Sequence, residues 1–357
     1  MNSYLEKYDI IVIGGGHAGC EAALASARMG VKTLLITMNM NTIAQMSCNP
    51  AIGGLAKGHL VREIDALGGR MGIIADRTGI QFRMLNKSRG PAVWSPRSQN
   101  DRIHYSIQMR KELESQENLQ IRQDQVARLD IRDNSIIGIV TLFGTKIKCK
   151  AVILCAGTFL NGLIHIGLSN YDAGRAGEFA AKGISDQLRD MGFEVGRLKT
   201  GTPPRIAGSS IDFSKTVIQH GDANPQPYSF KHKKLEVKQI PCYLTKTNPE
   251  THKVLADGLD RSPLYTGKII GVGPRYCPSI EDKIVRFSDK DSHQIFLEPE
   301  GRDSNEFYVN GFATSLPEDV QLKALHTIPA LENANITRLG YAIEYDYFQP
   351  TQLFANL

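Results

Sequence analysis

The clearest pattern of apolar and polar positions lies at the amino-terminal end of the chain. Residues 8–13 form a short apolar, mostly β-branched run that predicts a buried strand. A glycine-rich turn at 14–19 follows it, and the alanine-rich residues 20–29 then predict a helix. Residues 31–36 predict a second strand. This order of strand, glycine turn, helix and strand is typical of a parallel α/β unit.

Further along the chain, residues 119–122, 126–131 and 136–141 alternate enough to predict short strands, with Asp133-Asn134 as a turn. Residues 101–117 predict a helix. The run 150–157 predicts a buried strand that ends in Ala-Gly, and it resembles the strand by which two-dinucleotide flavoproteins return to their FAD domain. FAD therefore fits the first unit better than NAD.

A change of composition marks the later part of the chain. From residue 201 to about 338 the sequence is rich in proline and predicts strands at 228–230, 239–245 and 294–299. We expect a domain inserted at 201–339 within an FAD-binding domain that covers 1–200 and returns at 340–357. The predicted fold class is α/β: a Rossmann-like, two-dinucleotide-binding FAD domain with an inserted mixed, strand-rich domain.

Composition narrows the class of protein. Apolar residues make up 41% and charged residues 22% of the 357 residues, and no run of eighteen apolar residues is present, so we expect no membrane insertion. The start of the chain lacks the pattern of a signal or transit peptide, which predicts a cytoplasmic protein. Six cysteines without CxxC spacing predict free thiols and no metal site. The net charge of +5 permits a polyanionic partner but does not identify one.

The glycine turn predicts a dinucleotide site. Gly14 allows a tight turn, Gly16 lets the backbone approach a pyrophosphate, and Gly19 lets the helix pack against the strand. Thr37 stands where an acidic residue usually binds a ribose hydroxyl, so the ribose-binding group stays unassigned. The predicted FAD-binding residues are Gly14, Gly15, Gly16, His17, Ala18, Gly19 and Val126.

Three further segments identify a family. Residues 45–69 begin with Ser-Cys-Asn-Pro and a glycine-rich loop, and from Lys57 onward an apolar spacing at Leu60, Ile64 and Leu67 predicts a helix. Residues 79–94 and 197–205 have equally distinctive motifs. Together they closely resemble the MnmG (GidA) family of tRNA uridine 5-carboxymethylaminomethyl modification flavoproteins. The resemblance runs from about residue 8 to about residue 353. Members continue into a helical carboxyl-terminal domain, which we expect to be absent from this chain.

The family resemblance implies a reaction and a set of partners. It implies FAD as cofactor, NADH as reductant and methylenetetrahydrofolate as one-carbon donor for modification at carbon 5 of the wobble uridine of tRNA. It also implies a GTPase partner of the MnmE type, with a homodimer of the flavoprotein inside a heterotetramer. The amine that is incorporated stays open.

Two cysteines are candidates for the nucleophile. Uracil carbon 5 becomes nucleophilic only after addition at carbon 6, and a thiolate suits that reversible addition. Cys48 lies on the glycine-rich loop ahead of a predicted helix, where unpaired N–H groups would lower a thiol pKa. Cys277 follows Arg275 and precedes a predicted helix start. Both match positions of the family that are considered catalytic, and the choice between them stays open.

The same resemblance implies an NADH-binding segment near the second cysteine. Arg275 and Lys283 could meet phosphate charge there, whereas a helix cap at 279–282 is the alternative. The predicted NADH-binding residues are Gly273, Pro274, Arg275, Tyr276, Cys277, Pro278, Ser279, Ile280, Glu281, Asp282, Lys283, Ile284, Val285, Arg286 and Phe287.

Basic and aromatic residues in two stretches are candidates for contact with RNA. Basic side chains could bind phosphates, and interleaved aromatic rings could stack on bases, although a solvated face is the commoner role of a charge run. These residues are Lys87, Ser88, Arg89, Arg97, Arg102, Lys231, His232, Lys233 and Lys234, with Tyr105, Tyr228 and Phe230.

Three other functions stay open at this point. One is the related folate-dependent tRNA uridine methyltransferase, against which the Cys48 loop and residues 275–278 argue. The second is a generic nicotinamide–flavin reductase. The third is an FAD-holding assembly module with no turnover of its own.

Overall fold

The computed structural model describes residues 6–273 and 278–355. Its helices are, in chain order, α1 (His17–Arg28), α2 (Lys57–Ala66), α3 (Met71–Thr78), α4 (Arg102–Glu114), α5 (Ile184–Asp190), α6 (Pro249–Asp257), α7 (Ile280–Arg286) and α8 (Glu318–His326). Its strands are β1 (Glu6–Lys7), β2 (Ile10–Ile13), β3 (Thr33–Thr37), β4 (Ala51–Gly53), β5 (Gly79–Leu85), β6 (Ser95–Asn100), β7 (Leu119–Gln123), β8 (Val126–Arg132), β9 (Ser135–Thr141), β10 (Lys146–Lys148), β11 (Ala151–Leu154), β12 (Leu163–Ile166), β13 (Ser169–Asp172), β14 (Val195–Thr202), β15 (Arg205–Ala207), β16 (Val217–Gln219), β17 (Cys242–Lys246), β18 (Gln294–Pro299), β19 (Glu306–Asn310), β20 (Ile336–Arg338) and β21 (Tyr341–Phe348).

A parallel sheet organises the amino-terminal part. Its order is β11-β2-β3-β7, and every neighbouring pair is parallel. The first predicted strand, the helix after the glycine turn and the second strand are β2, α1 and β3, so the predicted Rossmann-like unit is confirmed. Strand β11 was expected to be buried, but it is only half-buried because it forms an edge of the sheet.

A second sheet, ordered β1-β10-β9-β8, packs on one face of the parallel sheet. Leu34 and Ile36 from the parallel sheet meet Ile139 in this shared apolar core. Asp133 and Asn134 join β8 to β9 with φ angles of 48° and 60°. Two central residues with positive φ form the primed type of hairpin turn, so the predicted turn is confirmed.

The opposite face of the parallel sheet is covered by helices. Cys20 and Leu24 of α1 and Met109 of α4 share a core with the ring of Tyr228. The segment 228–230 was predicted to be a strand, and that prediction is wrong. Tyr228 instead lies in a turn where its hydroxyl donates to the carbonyls of Ile52 and Pro96. This long-range contact fixes an aromatic residue that the local pattern places in a strand.

The carboxyl-terminal part forms two antiparallel sheets. Strands β14 and β21 pair along their whole length in the sheet β13-β12-β21-β14, so residues 341–348 return to the strand at 195–202. Between them lies a six-stranded sheet, β16-β17-β18-β19-β15-β20, with a core that it shares with helices α6, α7 and α8. Mixed α/β architecture with a strand-rich insertion is therefore confirmed.

Helix α2 begins at Lys57 as predicted, but it buries a different face. The sequence spacing placed Leu60, Ile64 and Leu67 toward the core, whereas Leu60 and Leu67 are 56% and 88% exposed. Gly58 packs on strand β6 instead, and Val61 and Asp65 are buried. Oδ2 of Asp65 accepts a hydrogen bond from the backbone N–H of Phe230, which partly compensates the burial of this carboxylate.

Among residues 6–273 and 278–355, no helix is both long enough and apolar enough to cross a membrane.

Candidate functional site

A cavity of about 270 Å³ opens at the carboxyl ends of β2, β3 and β11. Its wall combines the glycine turn at 13–17 with the residues after β3 at 36–39, the start of β8 at 124–126 and the residues after β11 at 154–160. Ligands of open parallel α/β sheets bind in this position, outside the carboxyl ends of the strands. Val126, predicted to contact a cofactor, is part of the wall.

The glycines of the turn have the surroundings that the sequence assigned to them. A Cβ on Gly14, whose φ is +106°, would lie 2.2 Å from the Cys155 carbonyl oxygen. A Cβ on Gly19 would lie 1.8 Å from the Gly14 oxygen, so this glycine permits close helix–strand packing. Gly16 has no atom within 4 Å of such a Cβ, and its backbone faces open space. Ala18 is exposed and lies outside the wall of the cavity.

Helix α1 presents its amino terminus to this cavity. Gly16 is its N-cap residue, and no side chain caps the first turn. The first turn also carries no acidic residue. The N–H groups and the helix dipole therefore favour an anion, and the residues present fit a dinucleotide pyrophosphate.

His17 forms the inner end of the turn. Its ring packs edge-on against Tyr105, with ring centroids 5.4 Å apart, and Nδ1 is buried without a hydrogen-bond partner. Burial, followed by the positive charge of Arg175, lowers the pKa of His17 to about 4. The imidazole is therefore neutral near pH 7 and adds no positive charge to the cavity.

Three charged residues of the cavity wall were not predicted from the sequence. Asp124 lies in the cavity wall and donates its backbone N–H to the carbonyl of Thr37, while its carboxylate pairs with Arg122 at 3.2 Å. Arg175 and Glu178 form an ion pair in the wall, and the Thr42 hydroxyl donates to Glu178. No short-range sequence signal connects these residues to the turn, because they come from separate loops.

Cys48 lies immediately beyond the cavity. Ser47 lines the cavity and the next residue, Cys48, is exposed, with Sγ 3.3 Å from the hydroxyl of Tyr308. Burial, followed by the proximity of Cys48, raises the pKa of Tyr308 well above its usual value. The phenol therefore keeps its proton and can donate a hydrogen bond to a Cys48 thiolate.

A buried ionic network holds the Cys48 loop. Arg205 donates to the backbone carbonyl of Cys48 at 2.7 Å and stacks over the ring of Tyr308 at 4.9 Å. Its guanidinium also pairs with Glu300 at 3.0 Å, and Glu300 pairs in turn with Arg102. Both partners of the Arg205–Glu300 pair have side chains that are 4% exposed. The loop is thereby tied to strands β15 and β19 and to the start of α4.

The expected reason for reactivity at Cys48 is not what the structure shows. The sequence placed the thiol ahead of a helix whose N–H groups would act on it, but strand β4 separates Cys48 from α2. The neighbours of the thiol are Tyr308 and the carbonyl of Gly201, which lies 3.9 Å from Sγ. These contacts come from residues distant in sequence, so the loop pattern could not predict them.

The predicted NADH segment is described at Gly273 and from Pro278 to Phe287. Ser279 caps helix α7, and its side chain and that of Asp282 form a capping box, as the alternative interpretation expected. Glu281 is buried and accepts from the Thr314 hydroxyl and the Ser315 N–H, both at 3.0 Å. Burial raises the pKa of this carboxyl. Pro274, Arg275, Tyr276 and the candidate nucleophile Cys277 lie outside the described residues.

A second buried carboxylate holds the residues that come directly before this segment in the chain. Glu344, on β21, accepts hydrogen bonds from the N–H groups of Ile270 and Gly271, at 3.0 and 2.6 Å. The N–H of Lys199, which pairs with Glu344 across the sheet, donates to the Val272 carbonyl. The residues that precede Gly273 are therefore fixed against β14, the strand that also carries Gly201 beside Cys48.

Comparison with known proteins identifies the family. A sequence profile described as "Glucose inhibited division protein A" matches residues 9–357. The chain belongs to the GidA family. It is 61% identical over 351 residues to the tRNA uridine 5-carboxymethylaminomethyl modification enzyme MnmG of Thermodesulfovibrio yellowstonii, covering 98% of this chain and 56% of that protein.

Other relatives give the same result. The enzyme of the same description from Geobacter sulfurreducens is 57% identical over 354 residues, covering 99% of this chain and 56% of the relative. The GidA structure of Aquifex aeolicus, in its form I crystal, superposes with a TM-score of 0.93 at 52% identity, covering 98% of this chain and 59% of that one. The chain therefore spans a little over half the length of these GidA relatives.

The structure divides the residues proposed for RNA contact. Arg97 is half-buried in an ion pair with Glu298, and Arg102 is buried in an ion pair with Glu300. Tyr105 and Tyr228 are at most 1% exposed, so neither ring can stack on a base. The exposed members of the original set are Lys87, Ser88, Arg89, Phe230, Lys231, Lys233 and Lys234.

Proposed function

We propose that this chain is the FAD-binding part of an enzyme that adds a carboxymethylaminomethyl or aminomethyl group to carbon 5 of the wobble uridine of tRNA. The observation that carries the proposal is the position of Cys48, directly beyond a dinucleotide cavity, in a chain of the GidA family. The proposed setting is the cytoplasm. The proposed partners of the complete protein are an MnmE-type GTPase and a second copy of the flavoprotein.

The domain arrangement follows the sheets. In the proposal, residues 1–200 and 340–357 form the FAD-binding domain, and residues 201–339 form the inserted domain that contributes to NADH binding. The pairing of β14 with β21 supports this division, because it joins the end of the first part to the returning segment. Tyr228 is the exception, since this residue of the insertion completes the core under α1.

Within the FAD site, Gly14, Gly15, Gly16, His17 and the first N–H groups of α1 would hold the pyrophosphate. Asp124 is the group we propose for ribose, because it lies in the cavity wall beside Thr37. When bound, FAD would pass on the reducing equivalents of NADH and take part in one-carbon transfer from methylenetetrahydrofolate. Residues 273–287 are proposed to contact NADH.

The residues around Cys48 suit a reversible thiol addition. A Cys48 thiolate would add to uracil carbon 6, which makes carbon 5 nucleophilic, and the same bond would break when the carbon 5 proton is lost. Tyr308 would stabilise the thiolate before addition and after release by donating its hydroxyl proton in a hydrogen bond. Cys277 is the alternative nucleophile in this proposal.

Replacement of Cys48 tests the proposal in a full-length protein that contains this sequence. We expect Cys48→Ser to retain FAD and to abolish the modified uridine, because a hydroxyl is a far weaker nucleophile near pH 7. Nucleoside analysis of tRNA from cells that contain only the variant measures the product, with Cys277→Ser examined in the same assay. Unchanged amounts of the modified uridine in the Cys48→Ser strain would remove Cys48 from the mechanism.

A second candidate is an FAD-holding assembly module without turnover. It is favoured by one observation, that Cys48 is not among the residues that line the cavity, so the cavity could hold a dinucleotide without the thiol. Reduction of bound flavin by NADH distinguishes the two candidates, because a module without turnover would hold the flavin without reducing it.

A further inference from the structure

The loop between β5 and β6 has a defined conformation at the surface. Asn86, with a φ of 61°, donates its side-chain amide to the carbonyl of Val93 at 3.3 Å. The indole N–H of Trp94 donates to the carbonyl of Lys87 at 3.2 Å. Gly90, with a φ of +93°, allows the turn between the two short 3₁₀ segments. These bonds close the hairpin tip on itself and reduce the conformational entropy that binding would cost.

The hairpin tip exposes an aromatic ring together with positive charge. Trp94, the only tryptophan of the chain, is 40% exposed, although large aromatic residues are mostly buried. Lys87 has a side chain that is 54% exposed and pairs with Asp222 at 2.9 Å. Arg89 is exposed, and its side chain makes no ion pair or hydrogen bond within residues 6–273 and 278–355.

The amino-terminal end of α2 extends this surface. A Cβ on Gly58 would lie 2.4 Å from the carbonyl oxygen of Pro96, so the helix start packs directly on the strand that follows Trp94. This packing places Leu55, 58% exposed, and the exposed Lys57 beside the hairpin tip. We call Leu55, Lys57, Lys87, Arg89 and Trp94 the hairpin surface.

The hairpin surface and the candidate nucleophile are carried by the same small sheet. Strand β4 follows Cys48 closely and pairs with β6, Gly53 lying opposite Arg97. The path from Cys48 along β4 and then β6 to Trp94 is short, so the two sites lie no more than about 30 Å apart. That separation lies within the span of a single nucleic acid loop.

We propose that the hairpin surface binds single-stranded RNA beside the target uridine, with Trp94 stacking on a base and Lys57 and Arg89 binding phosphates. The proposal rests on the proposed function and names the part of the surface that holds the substrate. A rigid aromatic ring flanked by cations is the arrangement that binds single strands without base-edge contacts. The exposed apolar residues here are Leu55, Val93 and Trp94, and three exposed cations, Lys57, Lys87 and Arg89, lie among them. The centres of protein–protein interfaces are depleted of charged residues, so this composition favours RNA over a protein partner.

The single tryptophan gives a direct test with the purified chain. An RNA hairpin with a uridine-containing, single-stranded loop is the probe, and a blunt RNA duplex of the same length is the control. We expect the hairpin to quench Trp94 fluorescence and to bind more tightly than the duplex. Trp94→Phe serves as the blank for the fluorescence signal.

Affinities measured with labelled RNA then test each role. Trp94→Ala should weaken binding of the hairpin about 5- to 150-fold, the range that loss of one stacked base predicts, and Trp94→Phe should retain most of the affinity. A plot of log affinity against log salt concentration falls with a negative slope. Arg89→Ala and Lys57→Ala should each make that slope less steep by about 0.7–1, because each variant loses one phosphate contact. Lys253→Ala, an exposed lysine on α6, is the matched control and should leave the slope unchanged.

Two results would overturn the proposal. One is tight binding of the RNA hairpin with unchanged Trp94 fluorescence and an unchanged affinity in Trp94→Ala. The other is no binding of the hairpin by a chain that holds flavin, which would reject the hairpin surface and leave the FAD site intact. Loss of flavin from the wild-type chain would instead reject the proposed function itself.

Discussion

Gly14 and Gly16 stand two residues apart in one turn, and their surroundings predict losses of stability of different size when a methyl group is added. Gly14→Ala places a Cβ against the Cys155 carbonyl at a positive φ, so we expect it to lower the free energy of unfolding by about 2–4 kcal/mol. Gly16→Ala meets open space, so its unfolding free energy should fall by less than about 1 kcal/mol.

FAD affinity should also be affected in the variant whose stability changes least. Gly16→Ala should weaken FAD binding at least about tenfold, because the methyl group occupies the space in which a pyrophosphate would approach the backbone. Urea unfolding and flavin titration of both variants measure the two effects. An FAD affinity for Gly16→Ala equal to that of the wild-type chain would place the pyrophosphate elsewhere.

His17 predicts a dependence of stability on pH. Its pKa is about 4 in the folded chain and 6.5 when unperturbed, so the unfolded chain binds the extra proton between these values. The stabilising effect of the neutral imidazole is therefore complete above about pH 6.5 and is lost as the pH falls toward 4.

The variant His17→Asn isolates this contribution. Between pH 7 and pH 5 the wild-type chain should lose on the order of 1–2 kcal/mol more unfolding free energy than the variant, because asparagine does not titrate. Urea unfolding at both pH values gives the comparison. Parallel pH profiles of the two proteins would show that His17 titrates normally in the folded chain.

Single residues also differ in whether their roles could be predicted from the sequence. The roles of Gly14, Gly16 and Gly19 could be predicted because they depend on backbone geometry within one turn. The contact of Cys48 with Tyr308 could not, because 260 positions separate the two residues and no periodic pattern relates them.

At the scale of elements, the Cys48 loop depends on charges that come from other parts of the chain. Arg205 reaches the loop carbonyl while it pairs with Glu300, and both side chains are 4% exposed. Removing one member of a buried pair leaves the other charge without compensation. Arg205→Ala should therefore lower the unfolding free energy by about 3–5 kcal/mol.

Arg338 provides the matched control, because it pairs with Glu306 at 2.9 Å but its side chain is 54% exposed. Arg338→Ala should cost no more than about 1 kcal/mol. Chemical unfolding of both variants gives the comparison, and the reactivity of Cys48 toward a thiol reagent should change only in Arg205→Ala. Equal stability losses in the two variants would mean that burial does not govern the network.

Elements differ in how much their own sequence determines them. Helix α1, strands β2 and β3 and the turn at Asp133-Asn134 follow from local spacing and turn chemistry. The buried face of α2 does not, because Gly58 can approach β6 so closely that a glycine replaces the expected leucines at the contact. Tyr228 likewise became part of the first core through hydrogen bonds to residues far away in the sequence.

At the scale of the whole molecule, membership of the GidA family explains why one chain combines a Rossmann-like unit with a strand-rich insertion. The periodicity of apolar residues predicts single strands and helices. The family motifs were needed to predict how these elements combine into this architecture. They did not distinguish exposed from buried basic residues, since Arg97 and Arg102 form internal ion pairs, whereas Lys87 and Arg89 face solvent. Only the packed structure separates structural charges from those available to RNA.

If the cavity at the glycine turn holds FAD, the absorbance spectrum of the purified chain will show it. We expect an oxidised-flavin spectrum at about one FAD per chain, with bleaching by NADH under anaerobic conditions if the chain also contributes the NADH site. A folded chain that shows no flavin absorbance, even after incubation with FAD and removal of the excess, would contradict FAD binding in this cavity.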